Sequence, residues 1–233
     1  MTLLNWEMTP DGLVILSDTL VLAGEDHRPR NFMTKVYPVS HLNAVVAGTG
    51  IGSMVTSFFV HVASEMLVND VVHVTEFAPT SLRSMWEQLS DQLPETATTT
   101  LYMFGIVAET GQFAGFAYRS TNDFAAEPLS YGMAFKPAPP NGEFPTIESL
   151  SDFAKYALAQ QADDRALPRK QRIGIGGDLW MYSFEKDDDG ALMTRVQRLI
   201  RLPHYDEDHE LMLAQLPENE GHPYSELILA RDP

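Results

Sequence analysis

The sequence predicts an α+β fold in which two mainly antiparallel β-sheets are stacked between layers of helices. Apolar runs of strand length occur in pairs joined by short turn segments, which is typical of antiparallel hairpins. Segments with helical periodicity come in blocks between these pairs rather than after each single strand, which argues against βαβ crossovers. A four-layer αββα arrangement would bury the apolar face of every element.

Strand-like apolar runs recur along most of the chain and are separated by turn signals. The predicted strands are residues 3–8, 13–17, 34–39, 44–46, 98–108, 113–119, 129–135, 179–184 and 192–200. Between the first two, the sequence TPDG at 9–12 predicts a turn, because Pro restricts φ and Gly tolerates positive φ. The dipeptide TG at 110–111 and the sequence DDDG at 187–190 mark two further turns. The polar segment 25–31 (EDHRPRN) predicts a loop.

Three segments are predicted to be helical. After Gly52 the apolar residues recur at i, i+3 and i+4 spacing on one face; they are Val55, Phe58, Phe59, Val62, Met66 and Leu67. A second helix is predicted to begin near Pro79 and to end at Pro94. A third is predicted from Thr146 to about Asp163, with polar residues suited to a helix start in its first turn.

Charge and composition argue against several classes of protein. Acidic residues outnumber basic ones 32 to 16, so the net charge of −16 disfavours nucleic acid and anionic membranes as partners. No apolar run approaches the roughly 18–20 residues that a membrane-spanning helix needs. The N-terminus lacks the basic region followed by an apolar region that marks a signal peptide. The absence of cysteine excludes disulfides and thiolate zinc sites. We therefore expect a cytoplasmic protein without a metal or cofactor, in which HYDEDHE at 204–210 belongs to a solvated acidic tail.

Four residues stand at positions that together suggest a nucleophilic site. Thr2 follows the initiator Met1, which is readily removed before a small residue, so we expect Thr2 to carry both a free α-amine and a hydroxyl. Asp18 ends the second strand-like run, Lys35 stands at the head of the third, and Gly48 lies just before the first helix. Each residue alone is ordinary in its position, and the joint spacing is what singles out the set.

With this spacing the chain resembles the proteasome-like family of N-terminal nucleophile hydrolases, and looks closest to bacterial threonine-type subunits that begin with Met-Thr. The resemblance implies that Thr2 is the nucleophile, that Lys35 keeps the terminal amine neutral, and that Asp18 holds Lys35 in place. It implies further that the Gly48 backbone N–H forms the oxyanion hole and that Ser130 contacts the terminal amine. The expected reaction is cleavage of an amide or peptide bond through an acyl-Thr2 ester.

The chain departs from the family pattern in three ways, of which one is a Pro-rich loop at 136–145 where the family commonly has a helix. The segment 129–135 (LSYGMAF) replaces the usual Gly-Ser-Gly turn, which leaves Ser130 as its only candidate serine. Arg172 and Ile175 stand where proteasomal β-subunits usually carry an aspartate and a serine. Two alternatives therefore stay open: a non-catalytic proteasome-like subunit that serves assembly or binding, and a small-molecule amidase with the same nucleophile.

The resemblance also implies an organisation and partners. We expect residues 1–202 to form a single proteasome-like domain and residues 203–233 an acidic C-terminal extension. The expected assembly is a homo-oligomer that acts on a peptide or amide substrate. An unfoldase partner would follow if the protein is a true protease.

Overall fold

The computed structural model describes residues 2–23, 27–91, 93–139, 142, 144–187 and 192–215. Its strands are β1 (Leu4–Met8), β2 (Gly12–Ser17), β3 (Leu20–Ala23), β4 (Arg28–Phe32), β5 (Val36–Val39), β6 (Ala44–Thr49), β7 (Thr100–Ile106), β8 (Phe113–Arg119), β9 (Ala126–Pro128), β10 (Gly132–Ala134), β11 (Asp178–Lys186) and β12 (Leu192–Arg201). Its α-helices are α1 (Gly52–Ser64), α2 (Val71–Ser90), α3 (Leu150–Ala166) and α4 (Tyr205–Leu213).

Two five-stranded sheets organise the described residues. The first has the strand order β10-β1-β2-β11-β12 and the second the order β5-β6-β7-β8-β9, and every pairing in both is antiparallel. Strands β3 and β4 form a separate two-stranded hairpin. The α+β class with antiparallel sheets, which the hairpin pattern predicted, is therefore confirmed.

The inner faces of the two sheets pack against each other. Aromatic side chains dominate this core: the Trp6 ring on β1 lies 4.9 Å from Tyr102 and 5.6 Å from Phe104, both on β7. Alternate residues of each strand point into this core because successive side chains of a strand face opposite ways. A further apolar cluster joins α1 and α2 to the second sheet, and another joins α3 to the first. Thr2 therefore enters a strand that is buried on both faces.

Helix α2 is longer than the sequence predicted. It begins at Val71 rather than near Pro79, which lies inside the helix. The side chain of Asp70 caps its first turn by accepting a hydrogen bond from the backbone N–H of His73 at 2.9 Å. Buried apolar residues continue on one face through the proline; they are Val71, Val74, Ala78 and Leu82. Packing of this face offsets the one helical hydrogen bond that a proline removes.

Of the predicted strand 129–135, only Gly132–Ala134 is a strand, β10, and the short strand β9 (Ala126–Pro128) just before it belongs to the other sheet. Strand β9 pairs with β8 in the second sheet, whereas β10 pairs with β1 in the first, with Met8 opposite Gly132. Gly132 has a φ of +111°, a conformation that favours glycine. Residues 129–131 thus carry the chain from one sheet to the other.

The predicted loop 25–31 is also wrong in part, because Arg28–Phe32 is strand β4. Residues 24–26 lie outside the described part of the chain. This polar hairpin is supported from outside by α4, where Tyr205 stacks on Phe32 with ring centroids 4.6 Å apart. In the described residues, no helix is both long and apolar enough to cross a bilayer.

Candidate active site at the start of β1

A buried ion pair joins Asp18 and Lys35. The Lys35 Nζ donates to Asp18 Oδ1 at 2.8 Å and to the carbonyl oxygen of Leu20 at 2.7 Å. Only 1% of Asp18 and 7% of Lys35 is exposed. The sequence expectation that these two residues pair is therefore matched by direct contact in the structure.

The same carboxylate also holds the backbone beside Thr2. Asp18 Oδ1 accepts a hydrogen bond from the N–H of Leu3 at 3.0 Å, and Oδ2 accepts one from the N–H of Gly176 at 3.1 Å. Asp18 thereby links Lys35 to the residue that directly follows Thr2. Both carboxylate oxygens have partners, which a buried charge requires.

Burial and pairing act in opposite directions on this pair. Burial lowers the pKa of Lys35 below its ordinary value, and the Asp18 carboxylate opposes that shift. Burial likewise raises the pKa of Asp18, and the ammonium of Lys35 and the N–H groups of Gly176 and Leu3 oppose it. Each charge therefore depends on its partner, so loss of either group leaves the other buried without compensation.

Thr2, Lys35 and Gly48 line one cleft. Its volume is about 430 Å³ including its open mouth, and 7% of Thr2 is exposed. The remaining walls come from β3, β5, β6, the first turns of α1 and the segments between them: Leu20, Val21, Leu22, Met33, Tyr37, Thr49, Gly50, Gly52 and Val55. Three of the predicted site residues thus meet at one surface, with Asp18 buried behind Lys35.

Gly48 has no room for a side chain. A Cβ atom built there would lie 2.4 Å from Cγ2 of Val55 and 3.1 Å from the carbonyl oxygen of Thr100. Val55 belongs to α1, so the missing side chain is what lets this helix approach the end of β6. The bare backbone of Gly48 consequently forms part of the cleft wall.

Ser130 is not brought to this cleft. It is exposed and lies between β9 and β10, two residues before Gly132, which pairs with Met8. Met8 is six residues from Thr2 along β1, a separation of about 20 Å in an extended strand. Ser130 therefore lies towards the opposite end of β1 from the terminal residue that it was expected to contact.

Sequence reasoning missed Gly176 as a part of the site. Its N–H donates to Asp18, and its carbonyl oxygen accepts from the N–H groups of Thr19 and Leu20 at 3.2 and 3.1 Å. A Cβ atom at this position would lie 2.7 Å from Cδ2 of Leu20. The available signal was the glycine-rich run 174–177 directly before β11.

Asp164, at the end of α3, holds the glycine-rich run in place. This buried carboxylate accepts hydrogen bonds from the N–H groups of Ile173, Gly174 and Ile175 at 2.7, 3.1 and 3.0 Å. Ile175 itself is fully buried in the core beneath the first sheet. The chain of contacts therefore runs from α3 through the run 174–177 to Asp18.

Arg172 and Ile175, which depart from the family pattern, both have structural roles. The guanidinium of Arg172 donates to the carbonyl oxygens of Leu167 and Arg165 at 2.9 and 2.8 Å, which satisfies carbonyls at the C-terminal end of α3. Ile175 contributes apolar area to the core. Both residues therefore stabilise the support behind Asp18 rather than face the cleft around Thr2.

Helix α4 contributes a second buried ion pair behind the glycine-rich run. Asp208, only 1% exposed, pairs with Arg165 of α3. HYDEDHE at 204–210 was predicted to be a solvated acidic tail, but Asp208 is buried and α4 contacts β4. The charge of Arg165 and the apolar contact of Tyr205 with Phe32 explain why this acidic segment packs onto the protein.

Neither a protein-family model nor a curated protein matches the sequence. Among solved structures, the chain is similar to a Gly-1 mutant of Anbu from Hyphomicrobium sp. strain MC1, with a TM-score of 0.58 and 13% identity over 100% of this chain and 99% of that one. It is also similar to Anbu, described as an ancestral β-subunit, from Yersinia bercovieri, with a TM-score of 0.53 and 15% identity over 94% and 100%.

These similarities correct the family that the sequence indicated. Both solved structures are Anbu, a proteasome-like but distinct family, so the expected membership of the bacterial threonine-type proteasome subunits is wrong. At 13% and 15% identity the likeness concerns the fold alone. The chain therefore has a proteasome-like fold that is similar, over nearly its whole length, to that of an ancestral β-subunit.

Proposed function

We propose that this protein is an N-terminal-threonine hydrolase that cleaves an amide or peptide bond through an acyl-Thr2 ester. The observation that carries the proposal is the Asp18 carboxylate, which accepts hydrogen bonds from both Lys35 Nζ and the N–H of Leu3. One buried group thereby sets the position of a cation relative to the first strand residue after Thr2. We also propose that the fold is the four-layer αββα sandwich of N-terminal nucleophile hydrolases.

The proposed reaction uses the two functional groups of Thr2. The terminal amine, directly or through a water, accepts the hydroxyl proton as Oγ attacks the substrate carbonyl. The Oγ–C bond forms, the amine returns its proton to the leaving nitrogen as the C–N bond breaks, and an ester of Thr2 remains. Water then hydrolyses that ester by the same proton route and regenerates the free hydroxyl.

Lys35 and Gly48 have supporting roles in this reaction. A nearby ammonium disfavours a second positive charge, so Lys35 keeps the amine of Thr2 neutral and able to accept a proton. The Gly48 N–H is the donor that we assign to the developing oxyanion; one such donor is typically worth about 10²–10³ in rate. The absence of a Cβ at Gly48 leaves that backbone open to a substrate.

The cleft favours an apolar group on the acyl side of the scissile bond. Aliphatic and thioether side chains form much of its wall; they are Leu20, Val21, Leu22, Met33 and Val55. Apolar area removed from water contributes roughly 25 cal/mol per Å² to binding. We therefore expect substrates with an aliphatic residue before the cleaved bond to react faster than those with an acidic one.

Covalent labelling of an untagged protein tests the proposal. Intact mass first establishes that Met1 is removed, because the mechanism needs a free amine on Thr2. An epoxyketone probe, which reacts with both the hydroxyl and the amine of a terminal threonine, is then expected to label the wild type and to fail with Thr2→Ala. Thr49→Ala, at a second threonine that lines the same cleft, should still be labelled. Labelling that survives Thr2→Ala would place the nucleophile elsewhere.

A non-catalytic proteasome-like subunit is the second candidate. The exposed position of Ser130, towards the far end of β1, favours it, because the residue expected to contact the terminal amine is missing from the cleft. A protein with a free Thr2 amine that is inert to the epoxyketone and to a β-lactone would support this candidate. If the probes do react, comparison of peptide with small amide substrates separates a peptidase from a small-molecule amidase.

We also propose that the protein is a homo-oligomer with one proteasome-like domain at 1–202 and a C-terminal extension at 203–233. The described part of the extension packs against the domain, since α4 contacts β4 and Asp208 of α4 forms an ion pair with Arg165 of α3. Light scattering coupled to size-exclusion chromatography measures the oligomeric state. A monomeric mass across micromolar concentrations would contradict the assembly, and with it a role for an unfoldase partner.

A further inference from the structure

Three side chains on the outer helices form a hydrogen-bonded chain outside the Thr2 cleft. His61 lies in the last turn of α1, and its Nδ1 is 2.5 Å from Oε2 of Glu65, the residue that caps the helix. Its Nε2 is 3.0 Å from the hydroxyl oxygen of Ser81 on the facing helix α2. The order serine, histidine and carboxylate is that of a hydrolytic triad.

The partners of His61 determine which ring nitrogen carries its proton. The carboxylate of Glu65 can only accept a hydrogen bond when ionised, so Nδ1 carries the hydrogen. In the neutral ring Nε2 is then an acceptor, and the hydroxyl of Ser81 donates to it. This tautomer is the one in which histidine can remove the hydroxyl proton of serine as it attacks a carbonyl.

A groove between α1 and α2 reaches two members of this chain, His61 and Glu65. It encloses about 960 Å³ including open space and is lined by His61 and Glu65 together with Thr56, Ser57, Val60, Met85, Gln88 and Leu89. Ser81 is partly exposed and precedes Met85 by one helical turn, so both residues lie on the same face of α2. Apolar and uncharged polar side chains line the groove, apart from His61 and Glu65, so a neutral apolar acyl group suits it.

We propose that Ser81, His61 and Glu65 form a second hydrolytic site, for small acyl esters, that works independently of Thr2. Ser81 Oγ bonds to the ester carbonyl carbon while its proton passes to Nε2 of His61. The ester C–O bond then breaks, the leaving alcohol takes that proton, and an acyl ester of Ser81 remains. Water hydrolyses this ester by the same route and restores the hydroxyl.

The helical setting limits the range of esters. Ser81 lies inside α2, where backbone N–H groups are engaged in helical hydrogen bonds and are unavailable to an oxyanion. Loss of such a donor typically costs about 10²–10³ in rate. The site therefore acts on activated esters with good leaving groups, such as aryl esters.

The test uses the Thr2→Ala protein, so that no signal can come from the proposed terminal nucleophile. A fluorophosphonate probe is expected to label Ser81, as read by peptide mass spectrometry, and p-nitrophenyl acetate is expected to be hydrolysed. Adding Ser81→Ala should abolish labelling and lower hydrolysis at least tenfold, and adding His61→Gln should do the same. Ser84→Ala, at an exposed serine on the same helix, should leave both unchanged.

Three results would overturn this second site. They are a protein that the fluorophosphonate does not label, a label at another residue, and ester hydrolysis that persists in Ser81→Ala while depending on His61. The last result would mean that the imidazole attacks the ester itself. Circular dichroism of each variant shows that the helices are retained. Reactivity of Thr2 towards an epoxyketone is measured separately on the wild type, so either site can fail alone.

Discussion

Asp18 is the residue on which the candidate site depends most. Its two oxygens bring together Lys35, the N–H of Leu3 and the N–H of Gly176, which come from three separate parts of the chain. A buried ion pair adds little to the free energy of unfolding while it is intact, because desolvation of the two charges offsets their attraction. Removing one partner is costly, because the other charge then stays buried without a counter-charge. Replacing either partner alone should therefore be far worse than replacing both.

Asp18→Asn should lower the free energy of unfolding by about 3–5 kcal/mol, because it leaves the Lys35 ammonium buried without a counter-charge. Urea denaturation followed by circular dichroism measures the change. The double variant with Lys35→Met is the matched control, and its loss should be smaller than the sum of the two single losses. A loss below about 1 kcal/mol for Asp18→Asn would show that the pair is not held as the structure describes.

Gly176→Ala should destabilise the protein by about 1–3 kcal/mol, because the new methyl group overlaps Leu20. The overlap should also displace the N–H that binds Asp18 and thereby slow the reaction of Thr2 with an epoxyketone. Denaturation and labelling rate measure the two effects. Gly12→Ala is the control, since its nearest neighbour would be 3.4 Å away. Equal stability of the two variants would contradict the role of Gly176 in holding Asp18 in place.

At the scale of elements, capping and packing decide where helices begin. Asp70 caps α2 and also accepts a hydrogen bond from the N–H of Ala108 at 2.8 Å, which ties the start of the helix to the end of β7. Packing then carries the helix through Pro79, where local propensity alone predicts a start. Tertiary contact thus overrides a strong local signal.

Asp70→Ala should destabilise the protein by about 1 kcal/mol or somewhat more, because it removes the acceptor for the N–H groups of His73 and Ala108. Thermal or urea denaturation measures the loss. Asp91→Ala, at the opposite end of the same helix, is a suitable control: a carboxylate there opposes the helix dipole, so its removal should be neutral or slightly stabilising. Similar losses for both variants would contradict the capping role.

At the scale of the whole molecule, the core between the two sheets holds two phenols away from water. Tyr102 on β7 and Tyr182 on β11 belong to this core, and burial raises the pKa of each to about 12. In the unfolded chain tyrosine titrates near pH 10. The folded state therefore binds more protons than the unfolded state between about pH 10 and 12.

The contribution of these two tyrosines to the free energy of unfolding should therefore be fully present below about pH 10 and should be lost as the pH rises towards 12. Tyrosinate absorbance is expected to show Tyr102 and Tyr182 ionising as the protein unfolds. Tyr102→Phe should raise the pH midpoint of alkaline unfolding, because it removes one of the two phenols that hold their protons only in the folded state. An unchanged midpoint in Tyr102→Phe would mean that its ionisation does not drive the transition.

The sequence by itself predicted the hairpins β1–β2, β5–β6, β7–β8 and β11–β12 and the first helix, and it singled out Thr2, Asp18, Lys35 and Gly48 as one set. Turn chemistry, periodicity and spacing at strand ends are local properties, so they can be read within some fifty residues. The tertiary structure alone decided the rest: Gly176 binds Asp18 from 158 positions away, and α4 buries Asp208 against Arg165. It also splits residues 126–134 between two sheets and thereby separates Ser130 from Thr2. Such contacts depend on how distant elements pack, and no local pattern specifies that packing.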